Sequence, residues 1–162
     1  KRCAETIFFD HYRKNKLITS TFELAQIVRS AIGKNPKLKI DPATKTFQAL
    51  RIKVNNELSE IEKALNDAED LLSPGARLVV ICFHSLEDKI VKNFIKVRSG
   101  FTPNPYRHSV SIYSSLDIKK PSFKQITKKV VTANNKEIYI NSRSRSAKLR
   151  AAERLNNMEN AA

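Results

Sequence analysis

The pattern of apolar and polar positions predicts helices over the first part of the chain. Apolar residues recur at spacings of three and four through residues 4–12, 20–33 and 43–72, which is typical of the buried face of a helix. The third stretch forms either one long helix or two nearly collinear helices that meet near Asn55-Asn56. We expect helices to start at Ser20 with Glu23 and at Asp41 with Pro42, and the helix that starts at Ser20 to end at Gly33.

The pattern changes at residues 78–83, which are six consecutive apolar residues. Such a run predicts a strand buried on both faces, as in the centre of a parallel sheet. Ser85 stands three residues before Asp88, which predicts a helix from Ser85 to about Val97 with Ser85 as its cap. Ligands of open α/β sheets bind at the carboxyl ends of the strands, so functional residues are expected at this turn.

The remainder of the chain has weaker periodicity. Residues 99–121 contain three of the six prolines and predict a long loop. We expect a basic strand over 123–132 and a turn or short helix over 133–141. Residues 146–155 form either a strand or a helix, and periodicity alone does not decide between them.

Positive charge is concentrated in the second half of the chain. The formal net charge is +14, and residues 1–88 hold 14 lysines and arginines against 12 carboxylates, whereas residues 89–162 hold 16 against 4. Such asymmetry favours a polyanionic partner, and nucleic acid is the expected one. A basic surface that only keeps the protein soluble is the alternative.

Composition excludes several other classes of protein. No signal peptide or apolar run of membrane-spanning length is present, so we expect a cytoplasmic protein without a membrane partner. Cys3 and Cys82 lie far apart and should both be reduced. With only three histidines they form no zinc-binding pattern, so no metal site is expected.

Three segments of the chain carry distinctive motifs. They are Asp41-Pro42-Ala43-Thr44-Lys45-Thr46-Phe47-Gln48-Ala49-Leu50-Arg51-Ile52, Phe83-His84-Ser85-Leu86-Glu87-Asp88-Lys89-Ile90-Val91-Lys92, and Ser142-Arg143-Ser144-Arg145-Ser146-Ala147-Lys148-Leu149-Arg150. Together these segments resemble one family, the RsmH (MraW) 16S rRNA cytosine-N4-methyltransferases. Their order and separation fit that family as well, and the likeness spans most of the chain. Asp41 and Lys45 stand where the family usually has histidine and arginine, but aspartate is a better helix cap and lysine retains the charge.

The resemblance implies an α/β fold, with the second half of a Rossmann-like class I methyltransferase sheet plus part of an inserted α-helical domain. Residues 1–55 would be the C-terminal part of that insertion, and residues 56–162 the C-terminal half of the methyltransferase domain. Strand 78–83 would be the fifth strand, and 123–132 and 146–155 the antiparallel pair that closes the sheet. This context favours a strand at the end of the chain.

The resemblance also implies an activity, a cofactor and a partner. The parent enzyme would use S-adenosylmethionine to methylate a cytidine of 16S rRNA in the small ribosomal subunit. A chain that opens Lys1-Arg2-Cys3 and has only three glycines lacks the glycine-rich turn of that cofactor site, so we expect an inactive C-terminal portion. A non-catalytic RNA-binding module of the same fold is the alternative. The oligomeric state is open, with a homodimer among the possibilities.

Candidate site residues fall into two groups. His84 and Ser85 are candidates for the target-base pocket, as acceptors near the cytosine amine. The alternatives are that Ser85 only caps the helix and that His84 only fills the end of the strand. For RNA contact the candidates are Arg51 and Asn55 on the long helix and, in the densest basic cluster, Arg143, Arg145, Lys148 and Arg150. Solvated polar surface is the alternative in each case. Weaker candidates are Lys119, Lys120, Lys124, Lys128 and Lys129 for the same surface, and Tyr106 and Tyr113 for stacking.

Overall fold

A computed structural model describes residues 2–9, 17–33, 40–101 and 120–156. The chain divides into two compact units, Lys1–Glu57 and Leu58–Ala162. This division lies close to the expected boundary after residue 55.

The first unit is helical in its described part. Its helices are α1 (Arg2–Phe8), α2 (Thr21–Ile32) and α3 (Pro42–Val54). The predicted cap of α2 is confirmed, because the Ser20 hydroxyl accepts a hydrogen bond from the Glu23 amide at 3.1 Å. The predicted stop is confirmed as well: Gly33 has φ of +80°, a conformation that favours glycine.

An exposed ion pair joins α2 to the start of α3. The guanidinium of Arg29 donates hydrogen bonds to the Asp41 carboxylate, with Nε 3.0 Å from Oδ2. Asp41 also caps α3 as predicted, by accepting from the Ala43 amide at 2.9 Å. Both contacts favour the ionised carboxylate, and they lower the pKa of Asp41, the bond from Arg29 most strongly. A small apolar core of Ala25, Val28 and Ala43 lies between the helices.

The long helical stretch is two helices rather than one. α3 ends at Val54, and α4 (Glu57–Leu71) begins after a turn at Asn55 and Asn56. Asn56 has φ of +50°, the left-handed conformation that asparagine tolerates better than most residues. Of the two alternatives that the sequence left open, the structure has the broken helix.

The second unit is built on a small antiparallel sheet. Its strands are β1 (Arg77–Cys82), β2 (Phe123–Gln125), β3 (Val131–Thr132) and β4 (Lys148–Arg154). β4 is central: β1 pairs with it from Arg77 opposite Glu153 to Cys82 opposite Lys148, and β2 and β3 pair with it on the other side. The preference for a strand at the end of the chain is confirmed. The single strand predicted over 123–132 is two short strands.

β1 differs from its prediction in both neighbours and burial. Among the described strands it pairs only with β4, and antiparallel, so it lies at an edge of the sheet rather than in the centre of a parallel one. Val79, Ile81 and Phe83 are 54%, 54% and 57% exposed, so the strand is not buried on both faces. An apolar run indicates a strand but carries no information on which strands lie beside it.

The apolar core lies on the face of the sheet opposite to the exposed side chains of Val79 and Ile81. α4 and α5 (Ser85–Arg98) supply apolar side chains to it. A second set of contacts ties the same elements together, since Glu69 of α4 accepts hydrogen bonds from Arg98 and from the buried Ser122. The core residues are Leu65, Cys82, Val91, Ile95, Phe123 and Ala152.

Two short elements precede β4. α6 (Asn135–Ile140) agrees with the turn or short helix expected there, and a 3-10 helix follows at Ser142–Ser146. Among the described residues no helix is both long and apolar enough to cross a membrane.

Candidate nucleic-acid interface

The turn after β1 is held by a capping box that differs from the predicted one. His84, not Ser85, is the N-cap of α5, and its partner is Glu87, not Asp88. The His84 ring accepts the Glu87 amide hydrogen at Nδ1 over 3.4 Å. In return the Glu87 carboxylate accepts from the amides of Phe83 at 2.9 Å and His84 at 3.3 Å. Histidine is an uncommon N-cap residue. The usual sequence pattern therefore predicted the cap at Ser85, one residue after its actual position.

His84 is occupied by this structural role. Its Nδ1 accepts a hydrogen bond, so the proton of the neutral ring lies on Nε2. Nε2 lies 2.9 Å from Glu87 Oε1, but the N–H is not aligned with that oxygen and makes no hydrogen bond. Only 15% of the side chain is exposed. Ser85 is exposed as the first residue of α5, so of the two predicted residues it presents its side chain more openly.

Asp88 lies one turn further along α5 and binds β4. Arg150 donates two parallel hydrogen bonds to the Asp88 carboxylate, from Nε at 2.7 Å and from a terminal nitrogen at 3.2 Å. These bonds favour the ionised carboxylate and lower the pKa of Asp88, against the opposing effect of burial. The pair therefore fixes the first turn of α5 against the centre of the sheet.

This pairing removes Arg150 from the predicted RNA-contact group. The Arg150 residue is only 7% exposed, so its guanidinium faces Asp88 and not the surrounding solvent. Arg150 opposes Val80 of β1 in the strand register, on the face that packs against the helices. Its positive charge therefore stabilises the fold. The prediction that Arg150 contacts phosphate is corrected.

Cys82 is a free, buried thiol at the end of β1. Burial raises the pKa of the thiol, and the carboxylates of Glu87 and Asp88 raise it further. A thiol in this state is a poor nucleophile. Cys3 is free as well.

The serine–arginine turn, which we define as Ser142–Ser146, presents two arginines outward. Asn141 accepts the Arg143 amide hydrogen with its side chain at 3.1 Å and the Ser144 hydroxyl with its carbonyl at 2.8 Å. Ser144 is buried, whereas Arg143 and Arg145 are exposed. Because the inner serine anchors the turn, the two arginines on either side of it point away from the protein.

The segment that contains this turn is strongly basic. Residues 120–156 hold ten lysines and arginines against two carboxylates, Glu137 and Glu153. Lys148 is partly exposed on β4, opposite Cys82. Lys119 lies outside the described residues. The other predicted lysines of this region are exposed, namely Lys120, Lys124, Lys128 and Lys129.

Arg51 and Asn55 are engaged locally. Arg51 donates two hydrogen bonds to the Glu57 carboxylate, at 2.7 and 3.0 Å, and the Asn55 side chain donates to the same group at 3.3 Å. These contacts span the turn between α3 and α4. Both side chains thus have a structural role that the sequence did not indicate, and neither belongs to the second unit that carries the serine–arginine turn.

One exposed aromatic residue escaped the sequence analysis. Tyr139 of α6 is 91% exposed and lies four residues before Arg143. The predicted stacking residues, Tyr106 and Tyr113, lie outside the described residues. An aromatic residue within a basic segment was the available signal, but it lay in a stretch expected to be a turn or short helix.

The glycines bear on a possible nucleotide cofactor. Nucleotide sites of α/β enzymes use a glycine-rich turn that follows the carboxyl end of a strand. Gly33 follows α2, Gly75 lies in the turn before β1, and Gly100 follows α5. These are all the glycines of the chain, and none of them follows a strand. The chain therefore does not build such a turn.

The comparisons with known proteins agree with the three motifs. The family model described as the MraW methylase family matches residues 1–155. The relatives of the chain include two proteins with the name ribosomal RNA small subunit methyltransferase H. That of Rickettsia felis is 50% identical over 156 residues, which cover 96% of this chain and 49% of the relative. That of Parvibaculum lavamentivorans is 49% identical over 142 residues, which cover 88% of this chain and 41% of the relative.

The chain thus spans less than half the length of these two relatives. The family match nevertheless extends over nearly all of the chain, including the turn after β1 and the serine–arginine turn. On this evidence the chain belongs to the MraW methylase family.

Proposed function

We propose that this chain is part of a cytoplasmic enzyme that uses S-adenosylmethionine to methylate the N4 amine of a cytidine in 16S rRNA. The proposal is supported by the family match and by the name of the relatives. In this proposal the second unit is half of a Rossmann-like sheet, and the first unit is part of a helical insertion. The chain builds no glycine-rich turn, so we assign none of its residues to the cofactor.

The contribution of this chain is contact with the RNA. The observation that carries the proposal is the serine–arginine turn, where a buried serine holds Arg143 and Arg145 outward on a surface with few carboxylates. Arginines presented in this way suit the phosphate backbone, which binds cations irrespective of base sequence. Lys148 and the exposed lysines of residues 120–129 are further candidates for contact with the RNA.

Ser85 is our candidate for contact with the target base. A cytosine amine donates hydrogen bonds and must be oriented before it can attack a methyl group. The base must also be unstacked to be reached. An exposed hydroxyl at the carboxyl end of β1 can accept a hydrogen bond from that amine. His84 acts through the backbone: its capping box with Glu87 fixes the turn on which Ser85 stands.

The RNA contact is tested by the salt dependence of binding. We expect the slope of log affinity against log salt, measured with a single-stranded segment of 16S rRNA, to become shallower in the variant Arg143→Ala/Arg145→Ala. The expected change is about 1.4, because each phosphate contact with single-stranded nucleic acid contributes about 0.7. Fluorescence anisotropy over a series of salt concentrations gives both slopes.

The matched control removes the same charge elsewhere. Lys63 on α4 and Lys96 on α5 are exposed, and the variant Lys63→Ala/Lys96→Ala should keep the slope of the unaltered chain. An equal change in both double variants would mean that only net charge matters. Either that result or an unchanged slope in the arginine variant would remove the serine–arginine turn from the RNA surface.

A further inference from the structure

We infer that Tyr139 is a stacking site for an unpaired RNA base beside the serine–arginine turn. The inference rests on the proposed function, since it requires that RNA binds this surface. It adds a residue that lies outside the three family segments. It also adds a kind of contact, because arginines on phosphates carry no preference for unpaired bases, whereas an aromatic ring does.

The first ground is exposure. Tyr139 is 91% exposed and its neighbour Ile140 is 76% exposed, both at the end of α6. Within the described part of the chain no hydrogen bond or ring contact involves the Tyr139 side chain. An aromatic ring exposed to water gains no stabilisation from burial. It therefore stabilises the fold no more than a smaller polar residue would.

The second ground is the position of the ring among positive charges. Asn141 ends α6 and also caps the serine–arginine turn, so the two elements are continuous. Tyr139 and Arg143 are four residues apart, and their Cα atoms cannot be separated by more than about 14 Å. One short stretch of RNA can therefore contact both. Lys136 adds a further exposed cation on α6, and Glu137 is the one carboxylate of that helix.

Aromatic rings among cations are what single-stranded nucleic acids bind. The cations follow the phosphates, and each base stacks on a ring because every base has a flat face. A paired helix keeps its bases stacked on each other and offers none to the ring. The structure therefore assigns Tyr139 a selective role, which favours unpaired over paired RNA.

The test compares three substitutions of Tyr139. The chain has no tryptophan, so Tyr139→Trp places a single indole at the site. We expect its fluorescence to be quenched by a single-stranded RNA of about 12 nucleotides but not by a duplex of the same sequence. Tyr139→Ala should weaken binding of the single strand about 5- to 150-fold, the range that corresponds to the loss of one stacked base. Tyr139→Phe should retain most of the affinity.

The control is another exposed aromatic residue without basic neighbours. Phe22 of α2 is 66% exposed and precedes Glu23, so Phe22→Ala should leave the affinity unchanged. Affinity for the duplex, and the salt slope for either RNA, should be the same in Tyr139→Ala as in the unaltered chain. Each of these controls separates stacking from a general loss of binding.

The outcomes distinguish this inference from the proposed function. If the unaltered chain binds RNA through Arg143 and Arg145 but Tyr139→Ala binds equally well, the stacking site is wrong and the proposed function stands. If Arg143→Ala/Arg145→Ala changes nothing, the proposed function fails first. If Tyr139→Ala alters the sedimentation of the RNA-free chain and not its RNA affinity, the ring is a protein contact and the inference is overturned.

Discussion

Replacing Arg150 by alanine should lower the free energy of unfolding by about 3–5 kcal/mol. The substitution leaves the Asp88 carboxylate, which is 15% exposed, without the guanidinium that binds it at 2.7 Å. Breaking a buried pair by removal of one partner costs this much because the remaining charge is uncompensated. Chemical denaturation followed by circular dichroism measures the loss.

The pair of Asp88 and Arg150 should also make the free energy of unfolding depend on pH. The folded pKa of Asp88 lies below the ordinary value of 3.8, so the pair contributes its stability above that value. The contribution is lost as the pH falls through the folded pKa. The difference in unfolding free energy between the unaltered chain and Asp88→Asn should therefore narrow below about pH 4.

Two further variants test whether the loss of stability in Arg150→Ala comes from breaking the pair with Asp88. Arg77 of β1 is 71% exposed and lies 3.9 Å from Glu153, so Arg77→Ala should change stability by less than about 0.5 kcal/mol. The double variant Asp88→Leu/Arg150→Met removes both charges and should recover most of the loss, since apolar groups often replace a buried pair without cost. A loss from Arg150→Ala no larger than that from Arg77→Ala would show that Arg150 is solvated.

Replacing Phe123 by alanine should have an effect of similar size, about 3–5 kcal/mol. Phe123 is only 1% exposed. Its ring meets that of Phe94 edge to face, with centroids 5.8 Å apart, and the Arg154 guanidinium lies 5.6 Å from its centroid. Alanine would leave a cavity between α5 and the sheet and would remove both ring contacts.

The control for Phe123 is an exposed phenylalanine of the same unit. Phe101 is 61% exposed, so Phe101→Ala should leave the unfolding midpoint in urea nearly unchanged. Phe123→Leu keeps much of the apolar volume and should cost less than the alanine variant. Equal effects of Phe123→Ala and Phe101→Ala would contradict the placement of Phe123 in the core.

Local structure was largely predictable from the sequence, because its causes are local. The Ser20 and Asp41 caps each join a side chain to a backbone amide two or three residues later, and the Gly33 stop depends on the backbone conformation of that residue. The turn at Asn55-Asn56 was one of two predicted alternatives. The strand at Lys148–Arg154 has good helical propensity, and only the resemblance to a family favoured the observed structure.

The contacts that define the candidate site were less predictable, because their partners lie far apart in sequence. Asp88 and Arg150 are 62 residues apart, and no local pattern indicates that one neutralises the other. Without that pair, Asp88 was assigned to a capping box and Arg150 to the RNA surface. The edge position of β1 has the same cause, since strand neighbours are decided by tertiary structure.

The burial of Arg150 sharpens the picture of the basic surface. Of the four cations predicted at the C-terminal motif, Arg150 maintains the fold, whereas Arg143 and Arg145 remain exposed and Lys148 partly so. The motif thus contains both residues that maintain the fold and exposed cations, and its composition does not show which residue is which. Its inward residues, Ser144 and Arg150, fix the turn and the strand, and its outward arginines are available to a polyanion.

The most direct test of RNA contact by this chain is ultraviolet cross-linking to 16S rRNA, followed by mass spectrometry of the linked peptides. We predict that cross-links concentrate in peptides that contain Tyr139, Arg143 or Arg145, and that they decline with rising salt. Cross-links confined to peptides of the acidic helix α4, with none in residues 120–156, would contradict the proposal.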